Sequence, residues 1–514
     1  MNEATGGESG LALEVFGLRK HFGPVKANDG VSLSVRRGSI HAIVGENGAG
    51  KTTLVRCLFG LIRPDGGEIR LWGEKVRFGT PQGALDRGMG MVYQHFMLVD
   101  ALKVWENVVL GSERGRGPWL SAVRNRAAVG EVAATYGLEV ELDAVTGDLP
   151  VGLRQRVEIL KVLYRGARLI ILDEPTAVLT PQETDRLFEV LRSLRADGCT
   201  IVLITHKLSE VMEAADEVTV VRAGRTVGSW PISEVDERML AREMVGRDVS
   251  LVPEKPLVEA GEPVLTVEDL RVASVLGDQA LEGVSFELRA GRILGVAGVA
   301  GNGQDALVEG ILGLRRAMGG SIRLFGREVT GLSTRDLRQV GVGCVPADRL
   351  RMGLVAELSI SENAVLGFDG LRELRAGPFF RRSALRARAK GIVEDFRVKA
   401  GSIDGAASQL SGGNQQKLVL GRELRGSPKL IVAAQPTRGV DIGAIEFIDS
   451  LLLERCRVGA AILLISNELD EILALSDEIL VLYRGRVSGG GPAREFSRER
   501  IGLFMAGLRE EATT

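Results

Sequence analysis

The chain has 514 residues, 45% hydrophobic and 26% charged, a balance ordinary for a globular protein that excludes disorder over most of its length. Its 65 Lys and Arg nearly cancel its 67 Asp and Glu, leaving a net charge of −2, which excludes nucleic-acid binding by bulk positive charge but leaves room for a local basic patch. Aromatics at 4% exclude a base-stacking platform, and Cys57, Cys199, Cys344 and Cys456, with no Cys-x-x-Cys pair, point to scattered thiols rather than a zinc site or disulfide framework.

The first residues, Met1 to Glu8, lack the basic start and apolar core of a secretion signal, and no apolar run approaches the ~18 to 20 residues of a membrane span. Alternating apolar residues then predict strands, leading into Gly45-Glu46-Asn47-Gly48-Ala49-Gly50-Lys51-Thr52-Thr53. This run matches the P-loop pattern between a strand and a helix. Its glycines let backbone N–H groups wrap phosphates, Lys51 reaches the β- and γ-phosphates, and Thr52 ligates Mg²⁺. A stretch rich in Ala, Glu, Arg and Leu, about 101 to 165, predicts a helical subdomain. The wholly apolar run Leu169 to Leu172 predicts a parallel strand covered on both faces, ending in Asp173 to hold Mg²⁺ and Glu174 to polarise the attacking water. Alone, that pair could equally be a solvated acidic strand end. A second such strand, Ile201 to Ile204, brings His206 to its tip, so that three tips converge on one sheet edge.

The same order then recurs. The segment from Gly30 to Gly50 returns from Gly283 to Gly303 at an offset of 253, whereas Leu172 to Thr176 returns as Ala433 to Thr437 at an offset of 261, so the second half carries eight extra residues between its glycine loop and that motif. Strands alternating with helices argue an α/β fold of two tandem P-loop domains, each with a parallel-sheet core, an antiparallel β subdomain and a helical subdomain (the second over about 360 to 428). The expected domains are 11–246 and 264–508, joined by a charged linker, 247–263, containing Pro253 and Pro256.

P-loop, Gln94, a Gly-containing helix start, Leu172-Asp-Glu-Pro-Thr176 and a strand ending in His206 together resemble the ATPase subunit of an ATP-binding cassette (ABC) transporter, twice over. The second half carries the family's Leu-Ser-Gly-Gly-Gln motif almost intact as Leu410-Ser411-Gly412-Gly413-Asn414-Gln415. The resemblance implies head-to-tail pairing of the halves, with each ATP between one half's P-loop and the other's Ser-Gly-Gly segment. It also implies that Gln94 senses γ-phosphate, contributes to the Mg²⁺ site and faces the transmembrane partner, and that His206 orients γ-phosphate. Phe22 stands where the family stacks an aromatic on adenine, although a Phe there could equally be core.

The halves are unequal in a pattern. Lys51, Thr52, Asp173, Glu174, His206, Gln94 and Phe22 correspond to Gln304, Asp305, Ala434, Gln435, Asn467, Ala347 and Val275, while Ser411-Gly412-Gly413 corresponds to Pro150-Val151-Gly152. Head-to-tail pairing assigns every loss to one composite site. The expectation is one hydrolysing site and one structural or non-hydrolysing site, with nucleotide binding at the second left open. Gly301-Asn-Gly-Gln304, Pro346-Ala-Asp-Arg349 and Gln435-Pro-Thr-Arg-Gly439 resemble fused ATPases of monosaccharide and nucleoside importers. Pro150 and Ala347 depart from that branch, which usually has Ser and Glu there. By this resemblance the partners are two permease subunits and, through them, an extracytoplasmic binding protein, on the cytoplasmic face of the cell membrane, with ATP and Mg²⁺ as cofactors and no nucleic acid. Permease docking is expected at Gln94 to Asn107 and its copy Ala347 to Asn363. The alternatives weighed are a twin-cassette translation factor, disfavoured by the short proline-bearing linker; DNA-repair or chromosome-packing cassettes, whose zinc knuckles or coiled coils are missing; and a non-hydrolysing regulator, disfavoured by Glu174 and His206.

Overall fold

The computed structural model describes residues 10–94, 96–113, 121–176, 179, 181–249, 255, 258–273, 279–299, 301–368, 370–376 and 379–508. The chain divides into two units, Met1–Val249 and Ser250–Thr514. Pro253, Pro256 and Val275, together with His95, lie outside the described residues.

In the first unit the strands Ile40–Val44, Leu169–Asp173 and Thr200–Ile204 are buried at every position, as the apolar runs demand of parallel strands covered on both faces. They form the centre of a six-stranded sheet, flanked by the parallel strands Met89–Val92 and Glu217–Arg222, with Arg225–Pro231 antiparallel at one edge. The carboxyl ends of the three central strands lead into the glycine loop, Glu174 and His206. A separate antiparallel sheet contains Leu11–Phe22, Val25–Arg36, Gly66–Leu71 and Glu74–Val76. Its period of two is plain in Val31, Leu33 and Val35, buried, against Ser32, Ser34 and Arg36, exposed. Helices Val104–Val109, Ala122–Thr135 and Val151–Tyr164 make the helical subdomain.

The second unit repeats this order with its own four-stranded and six-stranded sheets. The eight additional residues separate into three places. Asn107 and Asn363, 256 positions apart, do the same work: each accepts from the N–H of Val99 or Val355 and donates back to its carbonyl. Three residues therefore enter before Asn363, where a single π-helical turn spans Arg349–Gly353. Helices Ala122–Thr135 and Arg382–Asp395 stand 260 apart, which places four more between Asn363 and Arg382, the stretch that contains the hairpin Arg375–Ala376 and Phe379–Phe380. The last falls before the helices Val151–Tyr164 and Gly412–Leu424, whose starts are 261 apart. Among the described residues all four cysteines are free, and no helix is long and apolar enough to cross a membrane.

Candidate active site

The first unit's glycine loop is closed by contacts only glycine permits. A Cβ on Gly45 would lie 2.1 Å from the Val221 carbonyl oxygen, and one on Gly50, at φ +101°, 2.1 Å from that of Ala27. Asn28 fastens the loop by donating Nδ2 to the Gly50 carbonyl at 3.1 Å. No side chain caps the helix Lys51–Leu58, so its amino end presents N–H groups and positive dipole toward the loop. Lys51 is 6% exposed and folds back, donating Nζ to the carbonyls of Gly45 (2.6 Å) and Glu46 (3.1 Å). These neutral acceptors occupy the cation that phosphate oxygens would hold more strongly. Glu46, Asn47, Gly48 and Ala49 form the loop's arch, while Thr52 is exposed and Thr53 half-buried on the helix it opens.

The strand Leu169–Asp173 delivers Asp173, 6% exposed, and Glu174 behind it. Burial, then the charge of Glu174, pushes the Asp173 carboxyl up to about 6. The charges of Lys51 and Arg56 act the other way and do not offset it, and a carboxylate so placed has the oxygen donors that a divalent ion takes. Burial also acts upward on Glu174, but the hydrogen bond and charge of His206, with Lys51 and Lys207, outweigh it and hold the carboxyl below its usual value. Glu174 sits at φ +47°, a left-handed conformation costly for a non-glycine residue, with its N–H bonded to the Ile204 carbonyl at 2.8 Å. That turn aims the carboxylate at two partners. His206 Nδ1 lies 3.0 Å from Oε1, and Gln94 Nε2 donates to Oε2 at 2.9 Å. Gln94, Glu174 and His206, far apart in sequence, thus meet at one point. Phe22, at the end of Leu11–Phe22, is 47% exposed, so it is not a core side chain; its turn precedes the Ala27–Asn28 segment that abuts Gly50.

The second unit keeps the scaffold and loses the chemistry. Gly301 and Gly303 retain φ of +91° and +110°, against +80° and +101° at Gly48 and Gly50. Gln304 copies the Lys51 posture, donating Nε2 to the Val299 carbonyl at 3.1 Å, which is the position of Glu46. Gln435 retains φ +48° and its N–H bond to Ile465, but its Oε1 accepts from the Asn467 N–H instead of meeting an imidazole. This unit supplies what the first lacks, an intact Ser-Gly-Gly helix start. The helix Gly412–Leu424 begins after Ser411, whose hydroxyl does not cap the backbone but accepts from Asn414 Nδ2 at 2.8 Å. The first turn's N–H groups are thereby left open at the positive end of a 13-residue helix. In the first unit the corresponding helix starts after Pro150, which offers neither hydroxyl nor N–H.

Residues 28–177 and 281–438 match the family described as ABC transporter. The chain belongs to the ABC transporter family. Its members' cassettes bind and hydrolyse ATP, and this chain is such an ATPase. It is 42% identical to the nucleoside import ATP-binding protein NupA of Lactococcus lactis, over 96% of this chain and 98% of that protein. It is also 42% identical to the guanosine import ATP-binding protein NupO of Bacillus subtilis, over 97% and 98%, and 38% identical to a ribose import ATP-binding protein, RbsA 1, of Streptomyces avermitilis, over 95% and 92%. Among solved structures, the ADP conformation of the cassette MJ1267 aligns at 24% identity and TM-score 0.43, over 46% of this chain and all of that one.

One supporting residue escaped the sequence analysis. Glu210, 5% exposed, accepts from the hydroxyls of Thr176 and of Thr205 (2.9 Å), tying together the two loops that carry Glu174 and His206. Burial raises its carboxyl. Its signal was available, since Glu471 stands 261 positions later in the second half.

Proposed function

We propose that this chain is the ATP-hydrolysing subunit of an importer for nucleosides or simple sugars, working with transmembrane permease subunits at the cytoplasmic face of the membrane. The relatives named above are import ATP-binding proteins, and none of them is a translation factor. The first unit's loop, Gly45 to Thr53, holds the ATP phosphates, with Lys51 leaving its two carbonyls for phosphate oxygens. Phe22 stacks on adenine. Asp173, Thr52 and Gln94 hold Mg²⁺, which, when bound, neutralises charge on the β- and γ-phosphates. Glu174 takes a proton from the attacking water, His206 and Gln94 orienting its carboxylate and the γ-phosphate. Ser411, Gly412, Gly413 and Asn414 of the second unit complete this same site from the γ-phosphate side. The second unit's own loop is silent in hydrolysis.

The observation that carries the reading is the distribution of losses: every missing group belongs to a single head-to-tail site. For permease docking, the exposed Met97 and Val99 in the first unit and Leu350, Met352 and Val355 in the second lie on the segments pinned by Asn107 and Asn363. The decisive experiment compares ATP turnover of Glu174→Gln and Gln435→Glu. Removing the positioned base should cost about 10²- to 10⁴-fold, while Gln435→Glu should change turnover less than twofold. Turnover surviving Glu174→Gln would overturn the single-site assignment.

A further inference from the structure

The three residues that lengthen the second unit after the strand Val342–Val345 place one side chain at the start of the signature helix. In the π-turn Arg349–Gly353, Arg349 donates NH1 to the Arg438 carbonyl at 3.0 Å and Nε to Gln415 Oε1 at 3.4 Å. A single guanidinium therefore ties the first turn of the helix Gly412–Leu424 to the loop following the strand Leu430–Ala434. Gln416 ties the same two elements again, donating Nε2 to the Pro436 carbonyl at 2.8 Å.

The guanidinium also packs closely on the signature glycine. A Cβ on Gly412 would lie 2.6 Å from Arg349 NH2 and 3.3 Å from the Gly439 carbonyl oxygen. The first unit, whose loop is three residues shorter and lacks this arginine, carries Val151 at the Gly412 position, and that side chain is 39% exposed. Glycine and arginine thus occur together in one unit, and both are missing from the other. Burial holds the Arg349 pKa below its ordinary value, the charge of Asp348 beside it acting upward and that of Arg438 downward.

We propose that Arg349 is a positioning residue for ATP hydrolysis: it fixes the Ser411-Gly412-Gly413 backbone against the loop from Gln435 to Asp441. This rests on the reading that the Ser411 segment contacts ATP held by the first unit. The guanidinium acts on the bound phosphate only through that segment, so its loss should fall on kcat and spare nucleotide affinity.

The test is steady-state ATP hydrolysis by the purified full-length chain, resolving kcat from KM, with thermal melting of each variant. Ser411→Ala reports on the underlying reading and should lower kcat about tenfold. Arg349→Met should lower kcat five- to tenfold with KM within twofold of wild type. Arg349→Lys, which keeps the charge and one hydrogen bond, should recover to within threefold. Gln415→Leu, cutting the same link from the helix side, should cost two- to threefold and decides the matter with Arg349→Lys if Arg349→Met does not fold. The double variant Arg349→Met with Ser411→Ala should be no more than twofold slower than Ser411→Ala alone, because both act through one contact. If Ser411→Ala is without effect, the reading that the segment touches ATP fails, and the proposal falls with it. If Ser411→Ala slows turnover while Arg349→Met and Gln415→Leu do not, or if the losses multiply, the role assigned to Arg349 is wrong although the reading stands.

Discussion

Two P-loops on one chain differ by a handful of side chains over the same backbone. Gly50 and Gly303 adopt the same left-handed cap, and Lys51 and Gln304 both lay a terminal nitrogen on the carbonyl of corresponding residues, Glu46 and Val299. The glutamine keeps the resting loop satisfied without the lysine's charge. A loop can therefore be preserved as architecture after its chemistry is gone, because a neutral amide donor meets the same resting carbonyl as the ammonium. What the second unit cannot reproduce is the exchange of those neutral acceptors for phosphate oxygens, which an ammonium holds as an ion pair and an amide does not.

The sharpest way to break this comparison is to remove both nitrogens. Lys51→Met should weaken ATP binding by about 10- to 100-fold, the value of a hydrogen bond to a charged partner, read by calorimetry or fluorescent-nucleotide titration. Gln304→Met should change the same binding less than twofold. Comparable losses from the two would mean that the second loop holds nucleotide as firmly as the first.

How much of this was legible in advance depends on whether a feature is local. The P-loop, the apolar parallel strands and their polar tips are short patterns in which residue type is dictated by backbone geometry or burial, so the sheet edge bearing Lys51, Glu174 and His206 could be assembled on paper. The repeat offsets located eight additional residues but not their division into three sites, because a π-turn and a two-residue-strand hairpin have no periodic signature. The partnership of Gln94 with Glu174 spans 80 positions, and only the fold makes it a 2.9 Å contact. Glu210, and the contacts of Arg349 beyond its motif, escaped for a related reason. A buried carboxylate between two threonines, or a guanidinium behind a glycine, looks from sequence like any surface charge. Residue type alone did not decide Phe22 either, until its exposure removed the core alternative.

A second contrast lies under the sheets. Glu210 is held by two hydroxyls, and those of Thr437 and Ser466 serve Glu471 in the same way, but the helix Pro181–Ala196 carries Phe188, 1% exposed, at the position of Asp449. In the second unit Phe188 is replaced by Asp449, so two carboxyls, Asp449 and Glu471, share the interior. Burial, and for Asp449 the charge of Glu471, pushes both well above the usual carboxylate range. A raised folded pKa means that the folded state holds protons the unfolded chain releases, so stability is present at low pH and is lost as pH rises through the folded values. Asp449→Asn should leave the melting temperature near that of wild type at pH 4 and raise it by roughly 5 °C at pH 9. An equal gain at both pH values would show that ionisation of the buried Asp449 carboxyl is not what limits the second unit.

The smallest effect expected is also the one most diagnostic of the active unit. Asp173 is pushed up to about 6 by burial and by Glu174, so its ionisation opposes folding as pH rises from its ordinary value near 3.8, and the penalty is complete above about pH 6. Two pKa units correspond to roughly 3 kcal/mol at most. Asp173→Asn should thus abolish turnover and yet raise the melting temperature at pH 8, by about 2 to 4 °C, with no gain at pH 4. Added MgATP should erase the difference, because the ion that Asp173 is placed to hold supplies the missing positive charge to wild type alone. If Asp173→Asn melts lower than wild type at pH 8, the carboxylate is already balanced within the folded unit, and its burial is not a preparation for a cation.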